Sequence, residues 1–217
     1  MARFRDLSNG VIQVKRQRID LDYYATPAWC TRQILDVLQL TFGREMSQHM
    51  AILDPSCGDG AILRVGAERG LRGYGIELDE GRAKQAREVE GAQVEQADAL
   101  GMRWPTIYGE GVDRRAIVAL VGNPPFSLAG EFAGMAAEWS RANDRAAALL
   151  LRLSFAESQK RAAFHRQYPS DIYVLPVRPR FRTDTNGTDA HAYAWFVWGP
   201  FRGGRWSVLP MPHKEER

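Results

Sequence analysis

The sequence has few of the residues that form disulfide bonds or bind metal ions. It has only two cysteines, Cys30 and Cys57, which lie far apart in a chain of 217 residues. Its four histidines are scattered, so no cysteine and histidine cluster has the spacing of zinc ligands. We therefore expect no disulfide framework and no metal site. The thiols indicate a reducing compartment, which we take to be the cytoplasm.

Long apolar runs, repeats and a strong charge of one sign are also absent. No apolar segment approaches the ~20 residues that cross a bilayer, and the polar, basic N-terminus lacks a signal-peptide core. A net charge of +3 permits nucleic-acid binding without requiring it. With 45% apolar and 25% charged residues, the composition is that of a globular domain with no membrane partner.

Short apolar runs alternate with amphipathic segments, and this alternation predicts an α/β sheet domain. Strands are predicted at Met50–Leu53, Gly73–Asp79, Ala92–Ala97, Ala116–Leu120, Ala146–Leu153, Asp171–Pro176 and His191–Trp198, with one more in the tail around Arg205–Leu209. Helices are predicted from Thr26 to Gly43 and at Ala61–Arg69, Glu80–Glu90, Gly130–Arg141 and Glu157–Arg166. Thr26 and Pro27 fit the N-cap and the first turn of the first helix.

The first predicted strand leads into a glycine-bearing loop, Asp54-Pro55-Ser56-Cys57-Gly58-Asp59-Gly60, which a helix follows. This order is typical of the first unit of a nucleotide-binding sheet, in which Gly58 and Gly60 let the backbone approach a ligand. The third glycine of the dinucleotide fingerprint is replaced by Leu63. A cofactor without a pyrophosphate therefore fits this loop better than a dinucleotide.

Acidic residues follow the next two strands. Glu77 ends the second strand at the distance from the loop at which such folds bind ribose hydroxyls, about 20 residues; a surface acid is the alternative. Asp79 fits the N-cap of the next helix. Asp98 follows the third strand, where it could accept a hydrogen bond from an adenine amino group or cap a turn.

The segment Asn123-Pro124-Pro125-Phe126 follows the fourth strand, where open α/β sheets bind ligands. Asn123 carries a side-chain acceptor and is held extended by the proline after it. The two prolines have no N–H, so their carbonyls face little competing donation. The Asn123 oxygen and the Pro124 carbonyl could therefore bind both hydrogens of a planar NH₂ group, with Phe126 stacked on its ring. A proline-rich turn is the alternative.

Basic residues recur at two places. Arg178, Arg180 and Arg182 alternate along the chain and would share one face of a strand, which suits a phosphate backbone; a solvated sheet edge is the alternative. The basic cluster within residues 1–22 predicts a solvated arm or a phosphate-contacting one.

Taken together, these segments resemble the S-adenosylmethionine-dependent methyltransferases of exocyclic amino groups in DNA, the N6-adenine type with Asn-Pro-Pro-Phe. The resemblance covers about residues 23–198 and rests on Tyr24–Pro27, Asp54–Gly60, Glu77, Asp98 and Asn123–Phe126 in this order. It implies the α/β, Rossmann-like fold of class I methyltransferases, with a mostly parallel seven-stranded sheet and helices on both faces. It also implies transfer of a methyl group from S-adenosylmethionine to N6 of a flipped adenine in DNA.

The resemblance also implies a role for individual residues. The implied cofactor-binding residues are Tyr24, Thr26, Pro27, Asp54, Pro55, Ser56, Gly58, Gly60, Glu77, Leu78, Asp98, Ala99 and Asn123. The implied catalytic residues are Asn123, Pro124, Pro125 and Phe126. Within the cofactor set, Glu77 would bind the ribose, Leu78 the adenine ring and Asp98 the adenine amino group.

The expected organisation is a basic arm (1–22), a catalytic domain (23–200) and a tail (201–217). A sizeable target-recognition domain usually follows the catalytic domain in such relatives, but only about 19 residues follow Trp198. We therefore expect no separate recognition domain. Loose specificity, recognition through the arginines and loops, a homodimer mate and a separate specificity subunit all remain open.

Three other functions compete with DNA methylation. Methyltransferases of RNA base amino groups and of a protein glutamine amide also use Asn-Pro-Pro-Phe or its tyrosine form, although the Tyr-x-Thr-Pro segment favours DNA. A catalytically silent binding module is disfavoured because Asn123 and the glycine loop are intact. A nicotinamide dehydrogenase is disfavoured by Leu63 and by the Asn-Pro-Pro-Phe segment.

Overall fold

The computed structural model describes residues 23–42, 49–102, 113, 115–181, 190–199 and 203–216. The predicted arm (1–22), Arg182 and most of the predicted loops at 100–115 and 183–190 lie outside the described residues.

Eight strands and five α-helices occur in the described part of the chain. The strands are β1 (Ala51–Asp54), β2 (Arg72–Glu77), β3 (Ala92–Gln96), β4 (Ile117–Gly122), β5 (Ala146–Arg152), β6 (Asp171–Val174), β7 (Tyr193–Trp198) and β8 (Trp206–Val208). The helices are α1 (Ala28–Phe42), α2 (Ala61–Glu68), α3 (Glu80–Ala86), α4 (Ala129–Asn143) and α5 (Gln159–Gln167). None of these described helices has both the length and the apolarity needed to cross a membrane.

All eight strands form one sheet in the order β3-β2-β1-β4-β5-β7-β6-β8. Strand β7 runs antiparallel to β5 and β6, whereas the other neighbouring pairs are parallel. The expected mostly parallel sheet is confirmed, but the expected number of seven strands is wrong. The eighth strand lies in the predicted tail and pairs with β6, because the Ile172 N–H donates to the Arg205 carbonyl and the Leu209 N–H to the Val174 carbonyl (2.8 and 2.9 Å).

Helices cover both faces of the sheet, as expected. Successive residues of β5 alternate between two cores, with Leu150 in the first and Leu149 and Leu151 in the second. The first core also contains residues of α1 and α2, and the second contains Trp139 of α4. Burial on both faces explains why the central strands are almost entirely apolar.

The parallel strands bring several polar side chains to one edge of the sheet. The ends of β1, β2, β4 and β5 meet there, so that Asp54, Glu77, Asn123 and Arg152 share this edge. Strand β7 begins at the same edge with Tyr193, which lies opposite Arg152. Open α/β sheets bind their ligands at this edge.

Leu150 tests the importance of the first core. It is fully buried in a central strand, so Leu150→Ala should lower the free energy of unfolding by about 2–5 kcal/mol. Urea denaturation followed by tryptophan fluorescence measures this change. The matched control is Leu40→Ala, because the Leu40 side chain is 84% exposed and its loss should change stability by less than about 0.5 kcal/mol. Equal losses in both variants would contradict the packing described here.

Candidate functional site

The loop between β1 and α2 forms the first wall of the site. Gly58 and Gly60 have φ angles of +55° and +87°, which residues with a side chain rarely adopt. The ring of Tyr23 lies so close to Gly58 that a Cβ there would overlap it. The Tyr23 hydroxyl accepts a hydrogen bond from the Asp59 N–H (3.3 Å), and burial raises the pKa of Tyr23, so the hydroxyl stays neutral. The shape of this loop therefore depends on both glycines and on Tyr23.

Glu77 connects the end of β2 to this loop. Its Oε2 accepts a hydrogen bond from the Gly58 N–H (2.9 Å), and its Oε1 accepts from the Asp79 N–H (2.9 Å) and from Nε of Arg82 (3.3 Å). The side chain of Glu77 is buried. The structure thus gives the acid a role in holding the loop. Its predicted binding of ribose hydroxyls stays a prediction.

Asp54 and Ser56 place two further polar groups inside the loop. Asp54 is only 1% exposed. Burial raises its pKa to about 8, and the nearby Glu77 carboxylate also acts to raise it. The Ser56 N–H donates a hydrogen bond to Oδ1 of Asp54 (3.0 Å), which acts to lower this pKa. The Ser56 hydroxyl is buried and has no hydrogen-bond partner within the described residues. The loop therefore contains a largely protonated acid and an unused hydroxyl.

The orientation of the Asn123 side-chain amide is fixed by two acceptors. Nδ2 donates to the main-chain carbonyl of Tyr24 (3.1 Å) and to Oγ1 of Thr26 (3.0 Å). A carbonyl can only accept, so the NH₂ end of the amide must face Tyr24. Oδ1 is buried and accepts no hydrogen bond from any described residue. The site therefore presents an acceptor that the protein itself does not use.

Thr26 does not act as the predicted N-cap of the first helix. Helix α1 begins at Ala28, and the Thr26 hydroxyl accepts its hydrogen bond from Asn123, 97 residues away in sequence. A threonine and a proline before a helix look the same in sequence whether the hydroxyl caps the helix or binds a distant side chain. The prediction for Asp79 is confirmed, because its Oδ1 accepts a hydrogen bond from the Arg82 N–H (2.8 Å).

The residues around Asn123 complete this part of the site. The Pro125 carbonyl accepts a hydrogen bond from the Leu128 N–H (2.9 Å). Across the described residues, no donor reaches the Pro124 carbonyl. A Cβ on Gly122 would lie 3.2 Å from Oδ1 of Asp54. Gly122, the residue before the Asn-Pro-Pro-Phe segment, thus lies close to the first residues of the glycine loop.

Four aromatic side chains pack together next to Asn123: Tyr24, Phe126, Phe181 and Tyr193, which we call the aromatic cluster. Phe126 stacks on Tyr24, with 5.6 Å between ring centroids and 23° between ring planes, and its centroid lies 5.3 Å from that of Tyr193. The guanidinium of Arg152 lies over the Phe126 ring, 4.8 Å from its centroid. Phe126 is therefore already packed against protein groups, and its stacking on a substrate ring stays a prediction.

Leu78 and Asp98, two further predicted residues, follow β2 and β3. Leu78 is half-buried beside Glu77. Asp98 is exposed, and its Oδ1 accepts a hydrogen bond from the Leu100 N–H (3.0 Å), so it caps the short 3-10 turn that begins at Ala99. The turn-capping alternative for Asp98 is thus observed, which leaves its contact with adenine as a prediction.

Arg178 and Arg180 follow β6, and both are exposed on either side of a buried Pro179. The segment is not a strand, so the prediction that these arginines lie on one face of a strand is wrong for the described residues. Arg182 lies outside the described residues. Their contact with nucleic acid stays a prediction.

The sequence analysis missed five residues of the site. They are Tyr23, Arg82, Arg152, Phe181 and Tyr193. Arg152 had a signal, since it is the one charge at the end of the apolar run Ala146–Leu151. The other four meet the site through contacts between segments distant in sequence, such as Arg82 over the ring of Tyr23 (4.7 Å), which no local pattern reveals.

The fold is shared with solved structures of methyltransferases. A protein from Vibrio vulnificus YJ016, described as a modification subunit of a type I restriction enzyme, matches 98% of the chain with a TM-score of 0.58 and 14% identity. One from Listeria monocytogenes, described as a class I S-adenosylmethionine-dependent methyltransferase, matches 85% with a TM-score of 0.59 and 12% identity. One from Pyrococcus horikoshii, described as an RNA methyltransferase, matches 82% with a TM-score of 0.57 and 14% identity.

The chain spans 52% of the Vibrio subunit, 65% of the Listeria protein and 88% of the Pyrococcus protein. No protein-family model and no curated protein matches the sequence. At such identities the likeness establishes that the chain has the fold of S-adenosylmethionine-dependent methyltransferases. What the site does must be argued from its own residues.

The pKa of Asp54 predicts how stability depends on pH. Folding raises this pKa from 3.8 to about 8, so its contribution to stability is complete below about pH 4 and is lost as the pH rises through about 8. Asp54→Asn keeps the shape and the acceptor but does not ionise. As the pH rises from about 4 to about 8, the free energy of unfolding of the native protein should therefore fall relative to that of Asp54→Asn. Urea denaturation of both proteins at several pH values measures this difference.

The control for this measurement is Asp144→Asn, because the Asp144 side chain is exposed and forms no ion pair within the described residues. This variant should follow the pH dependence of the native protein. Parallel stability curves for the native protein and Asp54→Asn would show that the Asp54 carboxyl is not buried as described.

Proposed function

We propose that the chain is an S-adenosylmethionine-dependent methyltransferase that modifies the N6 amino group of adenine in DNA. One observation supports this proposal above all: the Asn123 amide is anchored through Nδ2, while its Oδ1 is buried and unused. A buried acceptor without a partner costs free energy unless a ligand supplies the donor. The NH₂ of a base supplies it.

The amino group of a nucleobase needs activation, because its lone pair is delocalised into the ring. Oδ1 of Asn123 and the carbonyl of Pro124 are two acceptors that the described residues leave unused. Acceptors aimed at both hydrogens of the NH₂ group favour a pyramidal nitrogen with a localised lone pair. They stabilise the positive charge that develops on the nitrogen during transfer, so this interaction strengthens in the transition state.

The residues present fit the cofactor. Gly58 and Gly60 carry no side chain, and the buried Ser56 hydroxyl lacks a partner in the described residues. Oε2 of Glu77 receives a single hydrogen bond, from the Gly58 N–H, and therefore keeps acceptor capacity at the end of β2. We assign the methionine part of the cofactor to the loop and to Tyr24–Pro27, and the ribose to Glu77. When bound, the cofactor supplies a methyl group already activated on a sulfonium. The chain's task is then to position the acceptor nitrogen, for which alignment alone supplies a large part of the acceleration.

The two cysteines take no part in this chemistry. Burial raises the pKa of Cys30 and of Cys57, so both thiols stay protonated near neutral pH. A protonated, buried thiol is a poor nucleophile. A direct transfer that uses hydrogen-bond acceptors and no covalent enzyme intermediate therefore agrees with the residues of the site.

Three features support DNA as the substrate. Tyr24 and Thr26 of the Tyr-x-Thr-Pro segment hold Asn123 directly. Arg178 and Arg180 are exposed and suit phosphate contacts. The Vibrio relative is described as a modification subunit of a restriction enzyme. A base inside a duplex cannot reach Asn123, so the target must flip out, and we place it against the aromatic cluster. A second copy of the chain or a separate specificity subunit would share in target recognition.

Asn123→Ala tests the proposal. Methyl transfer from labelled S-adenosylmethionine to unmethylated DNA should yield N6-methyladenine on digestion to nucleosides. The variant should lose activity by about 10²–10³-fold, the cost of one preorganised polar group. Binding of S-adenosylhomocysteine is measured alongside, because Nδ2 of Asn123 also holds Tyr24 and Thr26, which we assign to the cofactor. A loss of activity well beyond any loss of cofactor binding assigns the effect to Oδ1.

Asn143→Ala is the matched control, because Asn143 ends α4 and donates to the Trp139 carbonyl (2.8 Å) at the opposite edge of the sheet. It should retain native activity. RNA is assayed in parallel. Label found only in RNA would show that the substrate is RNA and not DNA. No transfer to any nucleic acid by a protein that binds the cofactor would overturn the proposal.

A further inference from the structure

Three buried polar atoms without a partner lie at the same edge of the sheet. Among the described residues, Ser56 Oγ, Asn123 Oδ1 and Arg152 Nε are all buried and make no hydrogen bond. Ser56 lies in the loop after β1, Asn123 directly follows β4 and Arg152 ends β5, and these three strands are neighbours in the sheet. The proposed function uses the first two atoms, one for the cofactor and one for the amino group of the target. It leaves the third unexplained.

Arg152 is held directly beside the Asn-Pro-Pro-Phe segment. It is the last residue of β5 and lies on the same face of that strand as Leu150. Its guanidinium lies over the ring of Phe126 (4.8 Å), the residue that ends the segment. In the described part of the chain, no carboxylate or carbonyl pairs with it. The arginine is therefore fixed in place by an aromatic ring while its buried N–H has no acceptor.

A second arginine makes a similar contact with a phenylalanine ring outside the proposed site and serves as a comparison. Arg161 also lies over a phenylalanine ring, that of Phe155, at 4.4 Å. Its guanidinium in addition donates to the Ser154 carbonyl (3.1 Å).

Arg152 is half-buried, and its Nε is buried without such an acceptor, as is Nε of Arg72 at the opposite edge of the sheet. An N–H donor buried without an acceptor is costly. Of these two arginines, Arg152 is the one beside the Asn-Pro-Pro-Phe segment. The missing acceptor is best supplied by whatever binds at Asn123.

We infer that Arg152 donates a hydrogen bond to a ring nitrogen next to the amino group of the target base. The inference rests on the proposed function, and it identifies Arg152 as a substrate-binding residue. An arginine only donates, so the group beside the target NH₂ must be an acceptor. Adenine offers N1 and N7 on the two sides of its amino group. A phosphate fits less well, because the free donor is buried and a phosphate stays at the surface of the duplex.

This contact sets a requirement on the substrate. The amino group must be part of a planar unit that carries an acceptor within reach, as in adenine. An isolated aliphatic amine satisfies neither Arg152 nor the flat aromatic cluster. On one edge of the base, Asn123 would accept from the amino group, which has two hydrogens to donate, and Arg152 would donate to one ring acceptor. Bases with the reverse arrangement of donors and acceptors would be strongly disfavoured.

The experiment combines a variant with altered bases. Methyl transfer is measured for the native protein and for Arg152→Met on DNA that contains adenine, 7-deazaadenine or 1-deazaadenine, in which a C–H replaces one ring nitrogen. The native protein should lose about 10- to 100-fold in kcat/KM on one of the two analogues, the size of a hydrogen bond to a charged group. Arg152→Met should lose a similar factor on ordinary adenine.

The decisive quantity is the coupling between the two changes. On the analogue that the native protein disfavours, Arg152→Met should lose less than about threefold further, because the bond is already gone. Any effect of an analogue on the DNA itself cancels in this comparison. Arg161→Met, the matched control, should show the native preference among the three bases.

The possible failures are distinguishable. Equal penalties for both analogues in the native protein and in Arg152→Met, with normal methylation of ordinary adenine, would overturn the inference and leave the proposed function standing. If no adenine in any DNA is methylated by the native protein, the proposed function fails and the inference fails with it. Full activity of Arg152→Met on all three bases would also overturn the inference.

Discussion

The site depends on one anchored amide. Asn123 donates through Nδ2 to the Tyr24 carbonyl and to the Thr26 hydroxyl, and these two bonds turn Oδ1 away from the segment before α1. A free asparagine would present either end of its amide. Because the anchor fixes which end faces the site, the protein presents an acceptor, and a group with two hydrogens to donate becomes the matching ligand.

The sheet makes this anchor possible by bringing distant segments to one edge. A side chain at Gly122 would crowd Asp54, Pro55 and Leu149, each 3.2 Å from a Cβ at this position. Glu77 holds the glycine loop through the Gly58 N–H. At this edge lie the buried Ser56 hydroxyl, the buried Asn123 amide oxygen and the buried Arg152 Nε. Each of these atoms lacks a hydrogen-bond partner in the described residues. Seven buried side-chain polar atoms lack a partner in the described residues, and these three lie together at the edge where open α/β sheets bind ligands.

Much of this architecture follows from local patterns in the sequence. Apolar runs predicted the strands, Asp79 its helix cap, and the Asn-Pro-Pro-Phe segment its place after β4. A strand is also predicted around Arg205–Leu209, where β8 lies, although its pairing with β6 is not. Contacts between segments distant in sequence could not be predicted this way. Thr26 is predicted as a helix cap, whereas its partner in the structure, Asn123, lies 97 residues away. The contact of Arg152 with Phe126 likewise joins distant segments.

The account's central claim is that the Asn123 amide is anchored through its NH₂ end. Hydrogen exchange of the Asn123 side-chain NH₂, followed by NMR, tests this most directly. We predict exchange much slower than for an exposed side-chain amide such as that of Gln93, and faster exchange when Thr26→Val removes one acceptor. Exchange as fast as that of Gln93 in the native protein would show that the amide is free to turn, and would contradict the account.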